Sequence, residues 1–134
     1  MTDTANEIAL ISASLEIYAE RHGDMAPRVY ERFFEINPEA AALMEYSDEY
    51  MRRRMFASIL ELFLSDENLG PGGYLAWEVD NHIKAYFATT AMYESLFQSI
   101  RDVLNQDLET ECRSEWQQAW ASRIARLMEH VRKF

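Results

Sequence analysis

The chain has 134 residues, 49% of them hydrophobic, and a formal net charge of −10 from 23 acidic against 13 basic residues. That is enough apolar material for one domain, residues 1–134, with a real core and too much for a disordered chain; no apolar run approaches the roughly 20 residues a bilayer span needs. The acidic balance sets the surface against a nucleic-acid backbone or an anionic membrane, and the single cysteine, Cys112, excludes an internal disulfide and a Cys-rich metal site.

Met1-Thr2-Asp3-Thr4 carries no basic region followed by an apolar stretch, so no secretory signal is expected and a cytoplasmic protein is. The pattern then predicts a first helix over about Asn6 to Arg21, with Ile8, Ile11, Leu15 and Tyr18 on one face. Gly23 suits a left-handed cap and Asp24 the start of the next helix. The second helix, about Met25 to Ile36, places Val29, Phe33 and Ile36 on one side with Tyr30 and Phe34 beside them. Asn37-Pro38 stops it, and Pro38 opens a short helix toward Met44.

Ser47-Asp48 can cap a long helix over about Glu49 to Leu64. Met51, Met55 and Ile59 form its i, i+4, i+8 stripe, widened by Phe56, Leu60 and Phe63. Asp66 to Gly73 is the clearest loop, and Tyr74 to about Phe87 a shorter helix that carries His82. Thr89-Thr90 can cap a helix running to about Leu104, with Tyr93, Phe97, Ile100 and Leu104 along one side. Asp107 is expected to cap the last helix, in which Trp116, Trp120, Ile124 and Met128 recur at steps of four. Cys112 is expected to be a small filler on a helix. Alternating strand patterns are absent, so the expected class is all-α, with six to eight helices.

No nucleophile elbow, glycine-rich phosphate loop or HExxH zinc pattern occurs, and the scattered carboxylates single out no general acid and base. The Arg52-Arg53-Arg54 run reads as a solvated helix face, or as one in which a member meets an anion. Seven Met, seven Phe, seven Tyr and three Trp first of all fill a core. As a set they also suit a pocket for a flat apolar cofactor. A lone histidine such as His82 is more often a surface or satisfied core residue than a ligand.

Five segments together change that weighting. Met25-Ala-Pro-Arg-Val-Tyr30-Glu-Arg-Phe-Phe-Glu-Ile-Asn-Pro-Glu39, followed by Ala-Ala-Ala-Leu-Met44, resembles the part of bacterial flavohaemoglobins and single-domain globins in which a distal tyrosine precedes a Phe-x-x-x-Pro-Glu run. Met51-Arg-Arg-Arg-Met-Phe56 is similar to their distal helix. His82 stands where their proximal histidine stands, and Tyr93 opens the following helix as an aromatic does there. Glu115-Trp116-Gln-Gln-Ala-Trp120 resembles the Ala-Trp-x-x-Ala-Tyr pattern of their last helix.

The resemblance implies a globin-like fold and haem b, with His82 as the iron ligand. It implies that Tyr30 faces the opposite side of the haem as a hydrogen-bond donor to a bound gas, and that Met51 and Met55 line the distal wall. Arg54 would meet a haem propionate. Phe33, Met44, Tyr86, Tyr93, Phe97 and Ile124 would complete the haem contacts.

Departures from the family are specific. Met44 stands where phenylalanine packs on the haem, and Met51 where His or Gln is usual. The interval from His82 to Tyr93 is one residue longer, and Glu78 replaces an apolar residue one turn before His82. The resemblance implies Tyr93 as the proximal tyrosine, but Val131 occupies the matching place of the proximal glutamate, with Glu129 near it. The expected function is reversible binding of a diatomic gas, oxygen or nitric oxide, for transport, scavenging or sensing. The alternative is a haem-free globin-fold module for regulation or interaction. Nitric oxide dioxygenation would require an external reductase, since no flavin domain is present.

Overall fold

Four glycines and three prolines in 134 residues leave long stretches of helix-forming sequence, and those stretches fold as helices. The computed structural model describes residues 4–65, 73, 77–79, 81 and 88–133. It is all-α, with no strand among the described residues. The helices are α1 (Thr4–His22), α2 (Ala26–Ile36), α3 (Pro38–Leu43), α4 (Glu49–Leu64), α5 (Thr90–Leu108) and α6 (Ser114–Val131), with a 3-10 turn over Glu109–Glu111. Residues 77–79 are also helical; most of the predicted Tyr74–Phe87 helix and the predicted 66–73 loop lie outside the described residues.

The boundaries follow the local chemistry. Gly23 adopts φ +78, and its N–H bonds the Ala19 carbonyl at 3.0 Å. An added Cβ there would meet nothing within 4 Å, so the requirement for glycine is the backbone angle rather than space. Asn37 ends α2 and starts α3: its N–H donates to Phe33 O at 2.9 Å, and its side-chain oxygen accepts from Ala40 N at 3.2 Å. Asp48 caps α4 by accepting from Met51 N at 2.8 Å, and Thr89 caps α5 by accepting from Met92 N at 3.2 Å.

The expected cap at Asp107 is corrected. Helix α5 runs to Leu108 rather than Leu104, so Asp107 lies inside it, and α6 begins after Arg113 without a side-chain cap bond. The Asp107 carboxylate is used between helices. Tyr18 of α1 donates its hydroxyl to it, and Arg28 of α2 donates from Nη2 at 3.1 Å and Nε at 3.3 Å. Partners on two other helices satisfy this half-buried carboxylate more fully than one cap bond could. Cys112 is buried, but it follows the 3-10 turn rather than lying on a helix, and its thiol donates to Asn105 Oδ1 at 3.3 Å.

In the core, α2 lies on α5, α1 on α6, and α4 against α1, α2 and α6. Tyr93, Phe97, Ile100 and Leu104 form the buried face of α5 as predicted. On α6, Trp116, Trp120 and Met128 are buried, while Ile124 is half-buried. Two faces are rotated from the expected ones. Helix α1 buries Glu7, Ile11, Ser14 and Tyr18, leaving Ile8 and Leu15 half-exposed. Helix α4 buries Phe56, Ile59, Leu62 and Phe63, so the Met51–Met55 side is the margin of its apolar face.

Polar groups explain the rotation of α1. Ser14 Oγ donates to Ile11 O and accepts from Trp120 Nε1 at 2.8 Å, and Glu7 Oε2 accepts from Ser122 Oγ at 2.6 Å. Arg123, fully buried on α6, donates from Nη2 to Leu62 O at 2.8 Å and Ser65 O at 3.0 Å, and so closes the C-terminal end of α4. No helix among the described residues is long and apolar enough to cross a membrane.

Candidate functional site

The aromatic residues sort into two adjoining clusters. In the first, Tyr30 of α2 sits among Phe33, Phe34 and Phe56, with ring centroids 6.4, 6.0 and 6.3 Å away. Val29, Tyr30 and Phe33 are buried because successive residues of α2 face both α4 and α5. In the second, Phe97 of α5 lies 6.2 Å from Tyr93 and 5.2 Å from Phe63, which itself contacts Trp120 at 4.8 Å. Tyr30–Phe56, Phe63–Phe97 and Tyr93–Phe97 meet edge-on, a favoured arrangement for aromatic pairs.

Tyr30 is the polar member of the first cluster. Only 3% of its surface is exposed, and its hydroxyl has no hydrogen-bond partner among the described residues. Burial pushes its ionisation well above the ordinary tyrosine range; the nearby Arg52 charge opposes this and Glu78 reinforces it. At neutral pH Tyr30 is therefore a neutral O–H donor. The Glu78 side chain is itself buried.

Several predicted site residues gather around these clusters. Tyr30 and Phe33 share the first, and Tyr93 and Phe97 the second. Met44, at the end of α3, and Ile124 are half-buried against the core, and Met55 is partly covered. Met51 is different: it is 49% exposed at the start of α4. Arg54 is exposed, with its guanidinium 5.7 Å from the Tyr50 ring centre. His82 and Tyr86 lie outside the described residues. No group of three His, Cys, Asp or Glu among the described residues is placed to hold a metal ion.

Two participants, Phe34 and Arg52, were not among the expected site residues. Phe34 packs on Tyr30 and lies under the Arg52 guanidinium, 5.0 Å from its ring centre. Arg52 donates from Nε to Ser47 Oγ at 2.9 Å and from Nη2 to Met44 O at 3.3 Å. Within the Arg52–Arg54 run it is Arg53 that meets a carboxylate, Asp24, at 3.0 Å. Four-residue spacing from Arg52 to the buried Phe56 was the available signal that Arg52 leans inward. Glu78 departs from the family pattern in the sequence; that it is buried is a tertiary fact.

A haem requires an apolar slot, a donor for its gas ligand and an axial ligand. Of these, the described residues supply a hydroxyl donor, Tyr30, beside three phenylalanine rings, and His82 lies outside them. No protein-family model matches the chain, and no curated protein is significantly similar to it.

Proposed function

We propose that this chain is a haem b globin that reversibly binds a diatomic gas, oxygen or nitric oxide, to carry, scavenge or sense it. The observation that supports this reading is Tyr30. Its side chain is 3% exposed among three phenylalanine rings, and its hydroxyl makes no hydrogen bond among the described residues, which leaves a donor for a ligand. The helix order, with a short helix opened by Pro38 between α2 and α4, agrees with the resemblance drawn from the sequence.

Haem, when bound, supplies the iron that takes the gas, and His82 is the side chain that would ligate it. Tyr30 donates a hydrogen bond to the polar end of the ligand, which contributes about 1 kcal/mol and up to about 3 kcal/mol to a charged acceptor. Phe33, Met44, Met55, Tyr93, Phe97 and Ile124 exclude water from the slot. Exposed Arg54 is available to a propionate. Nitric oxide dioxygenation would add an electron donor from outside the chain.

Absorption spectroscopy of the purified protein, before and after adding haem, tests the reading. A Soret band with visible bands that shift on reduction and on adding carbon monoxide is expected. His82→Ala should lose the band or recover it only with imidazole. A variant with the native spectrum would refute the ligand assignment.

A second reading has its own observation. Leu43, Tyr46, Tyr50 and Met51 are 40–93% exposed within nine residues of chain, and exposed apolar runs mark interaction surfaces. A haem-free module for regulation or interaction would use this edge directly. It predicts a colourless protein whose melting temperature is unchanged by haem, whereas a bound ligand raises stability by mass action.

A further inference from the structure

Between α2 and the first turns of α4 lies a groove of about 190 Å³. Its apolar wall is Ala26, Pro27, Tyr30 and Phe34; its rim is Glu31, Glu49, Arg52 and Arg53, with Glu31 paired to Arg28 at 2.9 Å. Phe33, Met44, Met51 and Met55 do not line it; Tyr30 is the one residue it shares with those assigned to haem. Its volume is below the roughly 300–1,000 Å³ of sites for drug-sized ligands, so the occupant is small.

The charges on the rim are unequal in their pairing. Arg53 is held by Asp24 at 3.0 Å. Arg52 is half-buried, stacked on Phe34, and fixed through Nε and Nη2 by a hydroxyl and a carbonyl, with no carboxylate partner among the described residues. Nη1 of that guanidinium remains available in a chain of net charge −10. A positioned, carboxylate-free arginine over an aromatic wall is a recognition element for a planar anion. Tyr30, whose hydroxyl makes no hydrogen bond among the described residues, lines the same groove.

We propose that this groove binds a small aromatic monocarboxylate, its ring against Phe34 and Pro27 and its carboxylate on Arg52. An inorganic anion would leave the aromatic wall uncovered. A dianion would face Glu49, which also lines the groove and has no ion pair among the described residues. The proposal rests on Phe34, Pro27 and Arg52, none of them assigned to haem.

Benzoate is the probe. Titrated into the whole protein and followed by saturation-transfer NMR and chemical shifts, it should bind saturably in the millimolar range expected of so small a ligand, with shifts at the Tyr30 and Phe34 rings. Arg52→Gln should weaken binding roughly tenfold, and Arg52→Lys less, because a point charge replaces the planar fork. Glu49→Gln, an exposed change that leaves the fold intact, should tighten benzoate about two- to threefold; it decides the question if Arg52→Gln does not fold. Benzyl alcohol and inorganic phosphate should each bind at least several-fold more weakly. The proposal is overturned if benzoate does not saturate, if Arg52→Gln or Glu49→Gln binds it like wild type, or if either control binds as tightly.

Discussion

Replacing Arg123 tests how the end of α4 is held. The side chain is fully buried, and one guanidinium nitrogen donates to Leu62 O at 2.8 Å and Ser65 O at 3.0 Å. Arg123→Met keeps the stem and removes the donors, leaving two carbonyls at a helix C-terminus without these bonds. Each unsatisfied buried acceptor costs about 1–3 kcal/mol, and the apolar replacement recovers part of the desolvation that the charge had paid. A net loss of about 3 kcal/mol follows. With an unfolding entropy of about 2.1 cal/mol/K per residue, 134 residues give roughly 0.28 kcal/mol/K, so the melting temperature should fall by about 11 °C. Calorimetry reads the fall, and hydrogen exchange should show faster opening over the last turn of α4 than over α5. Arg123→Lys should restore roughly half the loss, because an ammonium group reaches the carbonyls without the fork. A methionine variant melting within about 2 °C of wild type, with α4 still protected, would refute the capping role.

Asp107→Asn should destabilise the protein by about 1–2 kcal/mol at neutral pH, since Tyr18 and Arg28 lose a charged acceptor. Burial by itself pushes the Asp107 carboxyl up, but hydrogen bonds from Arg28 and Tyr18, with the Arg28 charge, together hold it below its ordinary value. A depressed carboxylate stabilises above its unfolded pKa, near 3.9, and that stability is lost as pH falls through the folded value; urea melts between pH 7 and 2 should show a shallower acid loss in the variant. Ser14→Ala leaves the buried Trp120 indole N–H without its 2.8 Å acceptor and should cost about 1–3 kcal/mol; an unchanged melt would mean the indole finds another partner. On the haem reading, Tyr30→Phe should speed oxygen release roughly tenfold, the equivalent of about 1.4 kcal/mol, with carbon monoxide release changed much less. Stopped-flow exchange measures both, and equal effects on the two gases would make Tyr30 a packing residue only.

The sequence by itself determined the helical class and most helix ends, because these depend on residues within one turn of each other. Asn37-Pro38, Asp48, Thr89 and Gly23 act on neighbouring backbone groups, and each is where its local chemistry requires. The α5 stripe from Tyr93 to Leu104 was legible for the same reason: a helix with one strongly apolar face has one way to bury it. Tertiary structure decided what competing partners did. Asp107 had a capping role by local rules, yet Tyr18 and Arg28, 89 and 79 residues away in sequence, hold it inside α5. Arg123 and Ser14 look like surface residues in a periodicity reading. Their burial follows from acceptors and donors on other helices, which no local pattern contains. Around Tyr30, the sequence placed a tyrosine among phenylalanines. That Arg52 lies over the neighbouring Phe34, and that Met51 turns outward, depends on how α4 rolls against α2, which is set by the packing of Phe56 and Phe63 rather than by the methionine spacing.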